Sequence, residues 1–215
     1  ELAPADGILH GIRYGDGSGL HPRWQRVRRC GLGLAVLTPG RGYTAQLYGP
    51  LPGWQQDVMA AESIAFLMYL RFSGDGPLQF VTDCKGVVDT HLRGPAASCD
   101  SWFPYAAIWR AIWAKIDDVG EDRILLRWVP AHTSRIAVDR GEITFVDRLG
   151  NEEADSLAKL GAAMHPGDDR VIDRMERSEA AVELVGEVHG AAPGPHWDQQ
   201  ASDTSPHIAR RSGWG

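Results

Sequence analysis

Cysteine is scarce, with three residues in 215 (Cys30, Cys84 and Cys99) and no CxxC pair. Three thiols cannot all pair internally, so a disulfide frame or a zinc site is excluded, and the cysteines read as buried or incidental in a reducing setting such as cytoplasm or nucleus. Long apolar runs are also missing. The longest, Ile64 to Leu70, stops at Arg71, far short of the roughly 18 residues that a membrane helix needs, and no membrane partner is expected. The chain begins with Glu, and ELAPADG has neither a basic stretch nor an apolar one. It shows no secretory signal and reads as a fragment of a longer product. Internal repeats are absent. So is an excess of positive charge: 22 Lys and Arg face 28 acids for a net charge of −6, which gives no overall basic footprint for nucleic acid. What is present is 43% hydrophobic and 23% charged residues, an ordinary globular composition with enough for one substantial core or two small ones.

The pattern along the chain alternates between two periods. Ile8 to Tyr14 predicts a strand that ends in the turn-rich GDGSG, and CGLGLAVLT and GYTAQLYG predict two more, joined by Pro39-Gly40-Arg41-Gly42. Trp54 to Phe72 turns helical and is apolar around most of its girth, so that helix must be buried. LQFVT reads as a strand and KGVVDTHLRG as a short helix closed by Gly94-Pro95. Trp109, Ile112, Trp113 and Ile116 mark a helix over 103–119, ILLRWV a strand stopped by Pro130, and Asn151 to Ala163 a helix with Asn151 as its N-cap. Between the last strand and that helix, RIAVDRGEITFVDR predicts an inserted hairpin or loop over 133–149. The order implies a mixed sheet carrying helices, an α/β arrangement. Residues 166–215 change character, carrying nine acids against five arginines. An amphipathic helix through Val171, Met175, Val182 and Val185 is expected there, then disorder.

Certain acids sit where acids should not. Glu62 emerges among Val58, Met59, Ala65 and Phe66, and a desolvated carboxylate costs several kcal/mol, roughly, unless it is paired or bound to metal. Asp83 closes the apolar LQFVT and Asp16 closes the first strand, while Asp155 falls in the first turn of the last helix. Strand ends of open α/β sheets are where sites are built. Each acid alone has an ordinary reading: Asp16 as a turn residue, Asp83 as a helix cap, Glu62 as an arginine partner, Asp155 as a solvated helix-start acid.

Together they sit in YGDGSG, AAESIAFLMYL, FVTDCKGVV and RWVPAHT followed by GNEEADSLAK. In these motifs the sequence resembles the ribonuclease H family, type 1, and most closely the domains of that family attached to reverse transcriptases in retroelements. The resemblance covers about residues 8–164. It implies a ribonuclease H-like domain over 1–165, with a five-stranded mixed sheet of three antiparallel and then two parallel strands flanked by helices. It implies an acid quartet, Asp16, Glu62, Asp83 and Asp155, holding two Mg²⁺ ions with Mn²⁺ as a substitute, and His132 as a proton-transfer or product-release group. Clustered carboxylates suit hard divalent cations, and a near-neutral imidazole suits proton traffic. Gly17, Ser18 and Asn151 resemble positions near the RNA strand of a bound RNA–DNA hybrid, and the run HPRWQRVRR is a candidate phosphate-contacting loop.

The implied activity is endonucleolytic cleavage of the RNA strand of RNA–DNA hybrids, within or derived from a retroelement polyprotein that includes a linked reverse transcriptase. The alternatives are an inactive relative that binds nucleic acid or protein, or another nuclease or integrase of the same fold. Several features depart from the family pattern. His132 and Asp155 stand 23 positions apart, Cys84 replaces a common Ser, and RGPAASCDSWFP lacks the basic cluster that some members use as a substrate handle. The charge also reads differently here. Residues 1–165 carry nineteen acids against seventeen bases, and four acids neutralised as ligands would leave the remainder slightly basic.

Overall fold

A computed structural model of the chain describes residues 7–21, 27–38, 40–167 and 169–189. It divides into two compact units, residues 1–167 and 168–215. In the first, the elements follow as β1 (Ile12–Leu20), β2 (Arg29–Thr38), β3 (Gly42–Pro50), α1 (Val58–Arg71), β4 (Leu78–Thr82), α2 (Lys85–Leu92), α3 (Gly94–Ser98), α4 (Ala106–Val119), β5 (Ile124–Trp128), α5 (Arg135–Asp139) and α6 (Phe145–Ala163). The second contains α7 (Asp169–His189), a helix where the sequence predicts an amphipathic one. The expected disorder of 190–215 lies outside the described residues, as does most of HPRWQRVRR. No helix among the described residues is long and apolar enough to cross a membrane.

The five strands form one sheet in the order β3-β2-β1-β4-β5. The β1–β2 and β2–β3 pairs are antiparallel, whereas β1–β4 and β4–β5 are parallel. This is the mixed sheet expected from the sequence. Side chains alternate across it, which builds two cores. Leu34 and Phe80 join Phe66, Tyr69 and Leu70 of α1 and Trp109 and Ile112 of α4 on one side. Tyr14, Ala35 and Val81 join Ala154 and Leu157 of α6 on the other. The heptad-like spacing of Trp109, Ile112, Trp113 and Ile116 does mark the buried face of α4.

The segment GDGSG is strand rather than turn, so Asp16 lies in the middle of β1, opposite Gly33, and not at its end. The physical reason is the alternation of its glycines. A Cβ on Gly17 would stand 2.8 Å from the backbone N of Glu62 and 2.9 Å from the carbonyl O of Val58, and one on Gly15 would collide with the Phe80 ring. The bare face lets α1 lie almost directly on β1. Similarly, Gly31 and Gly33 of β2 leave room for the backbone of α6 and Gly150 leaves room for the Tyr14 ring.

The region 133–149 holds no hairpin. It folds as α5 and the opening of α6, whose N-cap is Thr144 and not Asn151. The Thr144 hydroxyl accepts from the Asp147 N–H at 3.0 Å and donates to the Asp147 carboxylate at 2.8 Å, a reciprocal cap that overrides the β-prone Ile143, Thr144, Phe145 and Val146. Asp155 is consequently mid-helix. Gly94-Pro95 does close α2, whose C-cap is Arg93 with Gly94 following at φ 75°, and a further short helix, α3, starts there with Pro in its first turn.

Candidate metal centre

Three of the four acids converge. Asp16, Glu62 and Asp83 each offer a carboxylate oxygen, and these atoms all lie within 4.8 Å of one another. Three elements place them. β1 carries Asp16 with its backbone fixed on both sides by β2 and β4. α1 is started by Asp57, whose carboxylate accepts from the Met59 N–H at 2.9 Å and from the Tyr105 hydroxyl at 2.8 Å, and this cap sets Glu62 one turn further along. Asp83 follows the end of β4, where the Trp128 indole donates to its carbonyl at 2.9 Å. The Asn151 amide of α6 donates to Asp83 Oδ2 at 2.9 Å.

Two of the trio are buried, Asp83 is half-buried, and the groups that act on Asp16 and Glu62 include no cation. Asp16 is 6% and Glu62 3% exposed. Burial, opposed in part by a hydrogen bond with Glu62 and reinforced by the charges of Asp83 and Asp155, pushes the Asp16 carboxyl up to about 7. Burial first, and then the charge of Asp16, raise Glu62 well above the usual carboxylate range. Without a cation the pair must therefore keep a proton between them. The Thr82 hydroxyl donates to Glu62 Oε2 at 3.4 Å. Oxygen donors crowded beyond what they can ionise form a ligand set for a hard divalent cation. A divalent charge would allow both Asp16 and Glu62 to be carboxylates at neutral pH.

Asp155 is not within this cluster. Its Oδ2 pairs with Lys159 at 2.6 Å, although its charge is felt at Asp16. It lines an adjoining cavity of about 220 Å³ together with His132, Thr133, Arg148, Asn151 and Glu152. His132, exposed and held at φ 48°, turns the chain after β5 and thus shares a cleft with Asp155 despite their separation in sequence. Ser18 lies two residues beyond Asp16 on the same face of β1 and is partly exposed. Gly17 is buried against α1. Asn151 is 6% exposed and its Oδ1 has no hydrogen-bond partner among the described residues.

Sequence reasoning missed Thr82, Arg148 and the pairing of Asn151 with Asp83. Arg148 reaches the cleft from α6 and pairs with Glu152 at 3.0 Å. A period-3.6 reading of the helix begun at Thr144 would have put Arg148, Asn151 and Asp155 on one stripe.

No protein-family model matches the chain, and no curated protein matches it. Solved structures do. A foamy viral protease-reverse transcriptase in complex with an RNA/DNA hybrid superposes with a TM-score of 0.54 at 19% identity, covering 75% of this chain and 21% of that one. The PFV RNase H domain, solved in solution, gives 0.54 at 20% identity over 74% of this chain and 98% of that one. LC9-RNase H1, a type 1 RNase H with the type 2 active-site motif, gives 0.50 at 18% identity over 73% and 74%. The chain thus spans about a fifth of the protease-reverse transcriptase and nearly all of the isolated domain. It has the ribonuclease H fold.

Proposed function

We propose that the chain is a metal-dependent endonuclease that hydrolyses the RNA strand of RNA–DNA hybrids, with Asp16, Glu62, Asp83 and Asp155 holding two Mg²⁺ or Mn²⁺ ions. The observation that carries this reading is the buried trio, three carboxylate donors within 4.8 Å of one another in a setting that raises the proton affinity of Asp16 and Glu62. When bound, two such cations supply charge stabilisation at both the attacking water and the leaving 3′ oxygen of an in-line displacement.

The chain's own residues divide the remaining work. Asp16, central in the sheet and close enough to feel the charges of Asp83 and Asp155 as well as to bond Glu62, would be the carboxylate common to the cation site. Asn151 holds the Asp83 carboxylate by its amide, which leaves the other oxygen of Asp83 for a cation. Asp155 can leave Lys159, which is 60% exposed in its side chain, at little cost, since solvated pairs of this kind are worth about 0.3–0.5 kcal/mol. His132 lines the cleft beside Asp155 and is placed to pass a proton or assist product departure. Ser18, partly exposed beside Asp16, and the Asn151 Oδ1, which has no hydrogen-bond partner among the described residues, are the polar groups nearest the site for an RNA strand, whose 2′-hydroxyls distinguish it from DNA. Gly17, buried against α1, serves by letting the helix that carries Glu62 approach. The likeness to a reverse transcriptase captured with an RNA/DNA hybrid supports the substrate and a position beside a reverse transcriptase in a retroelement-type polypeptide.

The test is incubation of the purified chain with end-labelled RNA–DNA hybrid, RNA duplex and DNA duplex, each with Mg²⁺ or EDTA. Internal cuts in the RNA of the hybrid alone, abolished by EDTA, are expected. Binding of hybrid without cleavage at any Mg²⁺ or Mn²⁺ concentration would identify the chain as an inactive relative and overturn the proposal.

A further inference from the structure

Below the metal centre, on the α6 side of the sheet, lies a second ionic cluster that none of the preceding chemistry uses. Asp147 is 5% exposed and accepts from the Tyr14 hydroxyl at 3.0 Å, from Arg127 Nη1 at 2.9 Å and Nη2 at 2.5 Å, and from the Thr144 hydroxyl at 2.8 Å. Its two oxygens are thereby bonded from β1, from β5 and from the start of α6. Burial by itself would push the Asp147 carboxyl up, but the bonds from Arg127, Thr144 and Tyr14 outweigh it and hold the group below its ordinary value.

A cap for α6 needs no such burial, since Thr144 supplies one and an exposed acid would serve the helix dipole equally well. What the buried cluster adds is direction. Elsewhere α6 meets the sheet closely at Gly31, Gly33 and Gly150, packs Ala154 and Leu157 on it, and accepts hydrogen bonds from β3, Tyr43 to the Leu149 carbonyl at 2.8 Å and Gln46 to Glu153 at 2.5 Å. Those bonds tie α6 to the β3 edge of the sheet. The bonds to Asp147 tie it instead to β1 and β5, the two strands that flank β4 and so bracket Asp83.

The spacing connects this anchor to the site. Asp147, Asn151 and Asp155 recur every four residues on one stripe of α6, and Tyr14 and Asp16 are two apart on one face of β1. One helical repeat of four residues rises about 6 Å, and two strand residues rise about 6.6–6.8 Å. The two ladders stay nearly in step. With Tyr14 fixed on Asp147, Asn151 falls level with the Asp16 region, where it bonds Asp83 at 2.9 Å, and Asp155 follows one repeat further on.

We infer that Tyr14, Asp147 and Arg127 form a latch that fixes the axial register of α6, so that Asn151 meets Asp83 and Asp155 faces the carboxylate trio. They are positioning residues, and their effect on cleavage rests on the function proposed above. Of the three parts, Tyr14 lies in YGDGSG and Arg127 in RWVPAHT, whereas Asp147 comes from the segment that reads as an insertion, outside those motifs.

The experiment compares Tyr14→Phe and Asp147→Asn with the parent by three readouts: thermal melting, the Asn151 side-chain amide resonances with their hydrogen-exchange protection, and kcat and KM on the hybrid in Mg²⁺. Both variants should lose Asn151 amide protection. Their kcat should fall about tenfold while KM stays within about twofold, since alignment and not hybrid binding is lost. The double variant should be no slower than the slower single one, because both break one latch. Should Asp147→Asn fail to fold, Tyr14→Phe, which removes a single hydroxyl, decides the question. Lowered melting temperatures with unchanged Asn151 resonances and unchanged kcat would overturn the inference and leave the cluster purely structural. If the parent does not cleave hybrid, the proposed function fails, and the Asn151 amide still reports whether the latch exists.

Discussion

At the scale of single residues, the site is defined by charges that the folded chain cannot carry alone. Asp16, with a folded-state value of about 7 against an ordinary 3.8, keeps a proton that the unfolded chain has already released. Such a raised carboxyl contributes stability that is complete below about pH 4 and is lost as pH rises through about 7. Glu62 acts in the same direction. In EDTA the melting temperature should therefore fall between about pH 5 and pH 8, and Mg²⁺ should reverse most of that fall at the upper end by binding only the native state. Melting curves across this range, with and without Mg²⁺, check it, and a flat profile in EDTA would contradict the strained trio. Asp147, depressed below its ordinary value, has the opposite sign, and its contribution is lost only in more acid solution. The acids of the site were legible in the sequence because Glu62 interrupts an apolar helix and Asp83 ends an apolar strand. The bonds from Asn151 to Asp83 and from Tyr14 to Asp147 were not, since they join residues 68 and 133 positions apart, which no local pattern reports.

At the scale of elements, glycine decides how the layers meet. The alternation in GDGSG was present in the sequence, yet two glycine-flanked polar residues also describe a turn, and only the packing of α1 on β1 separates the two readings. Gly17→Ala should cost about 1–3 kcal/mol, the range for overpacking a filled interior, because its Cβ would stand 2.8 Å from the Glu62 backbone N. It should also depress cleavage beyond what the stability loss explains, by moving Glu62 away from Asp16. Gly49→Ala on β3, where a Cβ meets nothing within 4 Å, is the matched control and should change neither. Denaturant unfolding combined with hybrid cleavage of the two variants tests this. The misread stretch at 133–149 teaches the complementary lesson. Its β-prone residues were correctly seen, but a capping interaction between Thr144 and Asp147 and the burial of Asp147 against Tyr14 and Arg127 outweigh intrinsic preference.

At the scale of the whole molecule, the carboxylate trio, the cleft with His132 and Asp155, and the latch all belong to the unit of residues 1–167. That the chain is a mixed sheet carrying helices followed from the strand and helix periods, because those periods are set by burial, whereas the arrangement of three antiparallel and then two parallel strands came from the family resemblance and the sheet order from the structure. A chain ending at Gly167 should fold and cleave hybrid within about twofold of the full chain, as expected of a compact unit with its own hydrophobic core. Loss of folding on that truncation would show that the second unit supports the first. The central claim, that the buried acids act as a cation site and not as ordinary packing, is tested most directly by the rate of hybrid cleavage by Asp16→Asn at saturating Mg²⁺. The account predicts a loss of about two orders of magnitude or more, with the variant's melting temperature in EDTA equal to or above the parent's, because one repelling charge has gone. Cleavage by Asp16→Asn near the parental rate would contradict it, whatever its melting temperature.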